Sequence, residues 1–243
     1  MNLPITIPAY ALSHKVVNQL KLYLYLKWVC SGHFKVEEET ILAACEFLEW
    51  KTPKTFNKNL LWLIKNKWVA YNSTTGSIRV KSFARLCNRL DIKTKTGVIF
   101  DQKDFKTFRP FIYAAVITWS IRKRNWFNQR QPELKKGGSR KSVPDPNAKQ
   151  SIQALPNRYL AKILELDHST ISRYRAAAAE AGYITLLHQY EDTELPATFI
   201  SALRSSIPEE ADILVVHYGT VQRQLPDRIF SSLHLKYRNP KPP

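Results

Sequence analysis

Cysteine is too scarce and too scattered in this chain to build a disulfide framework or a zinc site. Cys30, Cys45 and Cys87 are odd in number, far apart and without any CxxC spacing, so they read as small core residues in a reducing cytoplasm. Long apolar runs are missing too. The longest, Pro110–Ile121 (PFIYAAVITWSI), spans 12 residues, whereas a membrane helix needs about 20. The N-terminus, MNLPITIPAY, has neither the basic region nor the apolar core of a secretory signal. No GxxxxGK[ST] loop for nucleotide phosphates and no HxH or HExxH metal motif occurs. His33, His168 and His217 have no evident partners, and His234, Tyr237 and Arg238 do not match the order of a strand-exchange nuclease. Glu37-Glu38-Glu39 is a carboxylate run whose side chains diverge on a helix and suit a helix start. No enzyme activity, cofactor, metal or membrane partner is therefore expected.

Acidic residues are few, 20 against 37 basic ones, for a net charge of +17. Residues 1–90 hold 13 basic and 5 acidic side chains, 121–150 hold 9 and 2, and 151–243 balance at 10 and 10. The electrostatic attraction for phosphate thus lies on the first 150 residues. The alternatives for such a charge are solubility alone, an anionic membrane, RNA or an acidic protein. With 44% apolar and 12% aromatic residues the chain can bury real cores, and its length has room for two domains.

Leu160–Ile184, LAKILELDHSTISRYRAAAAEAGYI, reads as helix, tight turn and helix. Asp167 stands where an N-cap accepts from free backbone N–H groups, and Gly182 where a left-handed stop belongs. Ile171, Tyr174, Ala178 and Ala181 fall on one face; Ser169, Ser172, Arg173 and Ala176 fall on the other. The outer face is small and hydrogen-bonding, as a helix entering a DNA groove requires. Through Leu160-Ala161, Ser169-Thr170-Ile171-Ser172-Arg173 and Ala181-Gly182-Tyr183-Ile184, the segment resembles the helix-turn-helix of bacterial winged-helix DNA-binding proteins. It departs at Glu165, where such turns usually carry glycine. An ordinary pair of packed helices is the alternative.

A similar pattern stands upstream. His14–Ser31 has apolar Val17, Leu20, Leu24 and Trp28, and Glu37–Leu48 has Ile41, Leu42, Cys45 and Leu48 inward. Thr52-Pro53 opens a helix to about Lys67, with Phe56, Leu60, Leu63 and Ile64 buried and Lys54, Asn57, Lys58 and Lys65 outward. Strand 68–71, turn 72–76 and strand 77–81 follow. Thr52–Val80 resembles winged-helix domains of phage, plasmid and other mobile-element proteins of bacteria. That resemblance implies that Arg79, Lys81 or the tip at Ser73–Thr75 meets DNA. A winged helix used for protein contact is the alternative.

Asp104–Arg124 is the expected connecting helix, with Phe105, Phe108, Ile112, Ala115, Val116 and Trp119 as its stripe and Arg122-Lys123-Arg124 closing it. Trp126 and Phe127, beside basic residues, are read as core anchors rather than as stacking platforms for single-stranded bases. Gly-Gly and three prolines between Asn128 and Ser151 read as a basic linker. About 23 flexible residues span roughly 25–30 Å, near one DNA turn, with Lys135, Lys136, Arg140 and Lys141 along the backbone. Beyond Ile184, a strand at 185–189, an acidic insertion near 190–212, an apolar run at 213–217 and a last strand at 228–238 are expected.

The expected fold is mainly α with small β wings (α+β): a winged-helix domain at 1–90, a connecting segment and helix at 91–128, a linker at 129–151 and a second winged-helix domain at 152–243. In the first, Lys54, Asn57, Lys58 and Lys65 would face the DNA groove; in the second, Ser169, Ser172 and Arg173 would face bases, with Arg173 the candidate for a bidentate guanine contact, while His168, Thr170 and Arg175 would meet phosphates. The expected function is sequence-specific double-stranded DNA binding as a transcriptional regulator of a bacterial or mobile-element genome, in the cytoplasm at the nucleoid. A replication initiator or recombination accessory protein of a plasmid or phage is the alternative, and a non-enzymatic protein-binding adaptor or inhibitor a further one. Partners besides DNA are a second copy of the chain or a replication or transcription protein.

Overall fold

Apolar periodicity and turn chemistry resolve, in the computed structural model, into eight α-helices and ten strands among the described residues. These are 1–30, 33–92, 96–135, 153–193, 195, 200, 214–217 and 220–237, of which 125–135, 153–154, 217 and 237 are described by backbone alone. The architecture is mixed: helices with three small antiparallel sheets. No helix among the described residues is long and apolar enough to cross a membrane.

The first half runs β1 (Asn2–Pro4), α1 (Thr6–Ser13), α2 (Val17–Val29), β2 (His33–Lys35), α3 (Glu38–Phe47), α4 (Pro53–Lys65), β3 (Val69–Asn72), β4 (Ser77–Val80) and α5 (Phe83–Arg89). The second runs β5 (Thr96–Ile99), a 3-10 turn at Gln102–Phe105, α6 (Phe108–Lys135), β6 (Gln153–Ala154), α7 (Asn157–Leu164), α8 (His168–Glu180), β7 (Ile184–Asp192), β8 (Leu214–His217), β9 (Thr220–Ser231) and β10 (Leu235–Tyr237).

Each half contains the same unit. α2-β2-α3-α4-β3-β4 and α6-β6-α7-α8-β7-β9 share one order, helix, strand, helix, helix, strand, strand. Their sheets are ordered β2-β4-β3 and β6-β9-β7, so the last strand lies in the middle of both. From α4 into β3 the match is residue for residue with the chain 115 positions on: N-cap Thr52 with Asp167, Pro53 with His168, Lys65 with Glu180, Val69 with Ile184. The stops correspond as well, Lys67 with Gly182. β8 pairs the far end of β9 and has no counterpart in the first unit.

Six helices stop on one device. Lys15, Glu49, Lys67, Asp91, Glu165 and Gly182 take left-handed backbone. The residue after each sends its N–H five residues back: Val16 to Ala11, Trp50 to Cys45, Trp68 to Leu63, Ile92 to Cys87, Leu166 to Ala161 and Tyr183 to Ala178. Each of those residues is apolar or aromatic and packs against or within the core, the hydrophobic contact that accompanies such stops. Only Gly182 takes the conformation without steric cost. Glu165, the expected point of departure, turns left-handed at φ +53° as a glycine would.

Several expectations are corrected by the packing. α2 buries Leu22, Tyr23, Tyr25 and Leu26 besides the expected Val17, Leu20 and Leu24, so it is a central helix, while Trp28, expected on the same face, is exposed. On α3, Leu42 is exposed and Ala44 takes its inward place. α6 does not close at Arg122-Lys123-Arg124; its backbone continues through Lys135, past the Pro132 that reads as a stop. It packs between α1 and α8, buried on every side from Phe111 to Thr118. It is thus the first helix of the second unit, and its last residues, 129–135, take the start of the expected linker into the helix; residues 136–152, the rest of that linker, lie outside the described residues. The halves share one core from Leu3 to Leu235, and β1, β5 and β10 join both chain ends in a third sheet. β9 begins at Thr220, eight residues before the expected last strand, and β7 extends to Asp192 inside the expected acidic insertion. The rest of that insertion, apart from Thr193, Leu195 and Ile200, lies outside the described residues.

Candidate functional site

α4 begins at Pro53, whose fixed φ suits the first helical position, and buries Phe56, Asn59, Leu60 and Leu63. Its opposite face exposes Lys54, Asn57, Lys58, Leu61 and Lys65. Among the described residues none of these lysines forms an ion pair, so their charge faces solvent uncompensated. The neighbouring hairpin turns at exposed Ser73–Thr75, where the Asn72 side chain accepts from the Thr74 N–H (3.0 Å) and Gly76 supplies φ +60°. Arg79 is exposed on β4; Lys81 is half-buried, and its carbonyl accepts from the Tyr23 hydroxyl at 2.8 Å.

α8 repeats this layout with other chemistry. Ile171 and Ala178 are buried, with Tyr174 half-buried beside them; His168, Ser169, Ser172, Arg173 and Ala176 are exposed and Thr170 half-exposed. Arg173 donates to the Thr170 hydroxyl at 3.2 Å, and Asn157 donates to the Ser172 hydroxyl at 3.1 Å. Asp167 holds the N-cap position with extended backbone, yet its side chain caps no N–H. Position by position, Lys54 matches Ser169, Asn57 matches Ser172, Lys58 matches Arg173 and Leu61 matches Ala176.

Arg175 departs from expectation. It is 6% exposed and occupies the place of buried Leu60 on α4, so it cannot lie on a phosphate. Its guanidinium pairs with Asp227 at 3.3 Å and donates to the Asn157 side chain at 2.7 Å. Burial pushes its pKa down while Asp227 pushes it back up. The pairing depends on a bulge: Leu187 faces Arg228 and Gln189 faces Leu225, so Pro226 and Asp227 together oppose His188. A proline is tolerated at such a point because it has no ladder N–H to lose. Asp227 then reaches both Arg175 and the His188 ring, at 2.9 Å. Through Asn157, this buried group also steadies Ser172 on the outer face.

α8 ends against the rest of the chain at Tyr183, which donates to Asp104 (2.8 Å) and meets the Thr107 hydroxyl (2.7 Å). Burial raises the Tyr183 pKa to about 12. The two exposed faces are thus carried on one framework. Of the remaining expected residues, Lys135 belongs to α6 with only its backbone described, and Lys136, Arg140 and Lys141 lie outside the described residues, as do the side chains of Trp126 and Phe127. Among the described residues no three His, Cys, Asp or Glu side chains converge as a metal site would require.

Chemically, the α4 face offers three cations, an amide and an isobutyl group. The α8 face offers hydroxyls, one guanidinium and small apolar atoms. Leu61 was not foreseen as part of either face; its signal was its place at i+4 from Asn57 and i+7 from Lys54. The chain matches no protein-family model, no curated protein and no solved structure.

Proposed function

We propose that this chain is a sequence-specific duplex-DNA-binding protein made of two winged-helix units, without enzymatic activity. The observation that carries the reading is the register-matched pair α4 and α8. Two helices of equal length follow a helix and a turn and precede the strands of an antiparallel pair, and each turns a polar face to solvent. A helix so mounted fits the major groove of B-DNA, with the hairpin beside it at the backbone or minor groove. Arg173 is the candidate for a bidentate guanine contact, and Lys54, Lys58 and Lys65 serve phosphates. Ser169 and Ser172 face bases; His168 and Thr170 flank them.

Transcriptional regulation is one role this reading supports. A second, replication initiation, is favoured by one observation: the two faces are unlike and share one core. A single copy then reads an asymmetric site with a direction, which suits repeated sites in one orientation. A symmetric dimer on a palindrome is the regulator's usual geometry.

Fluorescence anisotropy of a labelled random-sequence duplex at rising salt tests DNA binding itself. Contact with about 8 phosphates predicts an affinity loss of roughly 10⁴-fold between 50 and 200 mM salt. Absence of binding at the lowest salt contradicts the proposal.

A further inference from the structure

Leu61 is 67% exposed, the most exposed of the large apolar side chains on the described surface. Isolated exposed leucines are common and need no cause. This one lies in the middle of a face otherwise made of Lys54, Asn57, Lys58 and Lys65, directly opposite buried Phe56 and Leu63. In the second unit the matching position is Ala176, again apolar at the centre of a hydrogen-bonding face. Between N-caps and strands the only identity of the two segments is Thr55 with Thr170. Beside the apolar residue stands a hydrogen-bonding one in both helices, Asn57 and Ser172.

On duplex DNA, asparagine pairs with both major-groove groups of adenine, N7 and the N6 amine, and apolar side chains pack on the thymine methyl group. Four helical residues rise about 6 Å, close to two base-pair steps of about 3.4 Å. Resting on the DNA-binding reading above, we propose that Asn57 and Leu61 read an A·T-containing half of the site, Asn57 on an adenine edge and Leu61 on a thymine methyl group within about two steps. Lys54, Lys58 and Lys65 then supply attraction, and sequence choice in this half comes from the two uncharged side chains. The α8 face, where Ser172 and Ala176 take these places beside Arg173, reads a different half containing guanine.

The test begins with a duplex recovered by the full-length protein from a random pool of about 40 base pairs, long enough to hold half-sites a turn or two apart. Each thymine is then replaced in turn by deoxyuridine, which removes only the methyl group. Wild-type protein is expected to lose about fourfold in affinity at one thymine in one half, the worth of about one buried methyl. Leu61→Ala should show no loss there, and Leu61→Met should restore it. Asn57→Ala should erase a base preference of about 5- to 150-fold at a neighbouring A·T pair. Both side chains are exposed, so equal melting temperatures confirm that the variants fold. A methyl effect that persists undiminished in Leu61→Ala, or is absent from wild type at every thymine, overturns the assignment while DNA binding stands. Recovery of no duplex at all overturns the DNA-binding reading and this inference together.

Discussion

Replacing Asp227 by alanine leaves the Arg175 guanidinium buried without its carboxylate. The pair is 3.3 Å apart, and both side chains are largely shielded, at 7% and 13% exposure. Removing one partner of a buried ion pair costs about 3–5 kcal/mol, because the remaining charge keeps its desolvation penalty. Arg175 retains a short bond to Asn157 and long ones, 3.5 Å, to the Leu155 and Asp227 carbonyls, so the lower end of that range is expected. For a chain of this size about 3 kcal/mol lowers the melting temperature by roughly 6–12 °C. Thermal unfolding followed by circular dichroism measures it. Lys35→Ala provides the control: its pair with Glu37 is exposed and 3.7 Å apart, and such pairs contribute at most about 1 kcal/mol. Arg175→Leu, which restores the residue type of Leu60 at the matching place, together with Asp227→Ala should recover much of the loss, since replacing a whole buried pair by apolar groups is often neutral. A loss below about 1 kcal/mol for Asp227→Ala alone refutes the account of Arg175 as a buried, charge-paired residue.

Glu165→Gly should stabilise the chain by about 1 kcal/mol by relieving left-handed backbone at φ +53°, whereas Gly182→Ala at φ +74° should destabilise it by about 1–2 kcal/mol; denaturant melts read both, and equal effects of one sign contradict the shared stop geometry. Stability should fall as pH rises from about 10 to about 12. Burial raises the pKa of Tyr183 from 10.0 to about 12 and shifts Tyr23, Tyr25 and Tyr113 upward, so the folded state holds protons that the unfolded chain releases. The stabilisation is complete below pH 10 and is lost through the folded values. Tyrosinate absorbance rising together with unfolding supports this; full ionisation near pH 10 with the fold intact contradicts it. Replacing Lys54, Lys58 and Lys65 together should shallow the salt dependence of DNA affinity by up to about 3 units, and an unchanged slope removes α4 from the interface.

What the sequence could reveal depended on how local the cause was. α4 and α8 were legible because each declares itself within 15 or so residues through an N-cap, a period near 3.6 and a stop. The outward placement of Ser169, Ser172, Arg173, Lys54, Asn57, Lys58 and Lys65 followed from the same period. Arg175 was misplaced because its burial is decided by Asp227, 52 residues away, and by a bulge that only strand register creates. Pro226 hid β9 for the same reason, since a proline argues against a strand unless a bulge receives it. α6 was cut short by its own charges and by Pro132, while the packing of α1 and α8 around it is a long-range fact. The sheet of β1, β5 and β10 joins residue 2 to residue 99 and residue 235 to residue 98, pairings that no local pattern encodes. The doubling is legible in the repeated helix–helix–strand pattern, but the 115-residue register between its copies is not, because they match in role and position while sharing almost no residue identities.

Selection from random duplexes of about 40 base pairs with the purified full-length chain bears most directly on the claim that two unlike helix faces on one framework read DNA. The account predicts one enriched motif in two dissimilar parts at a fixed spacing, with guanine in one part and an A·T pair in the other, and loss of only the guanine preference in Arg173→Ala. No enriched motif, or a motif left whole in both Arg173→Ala and Asn57→Ala, would contradict it.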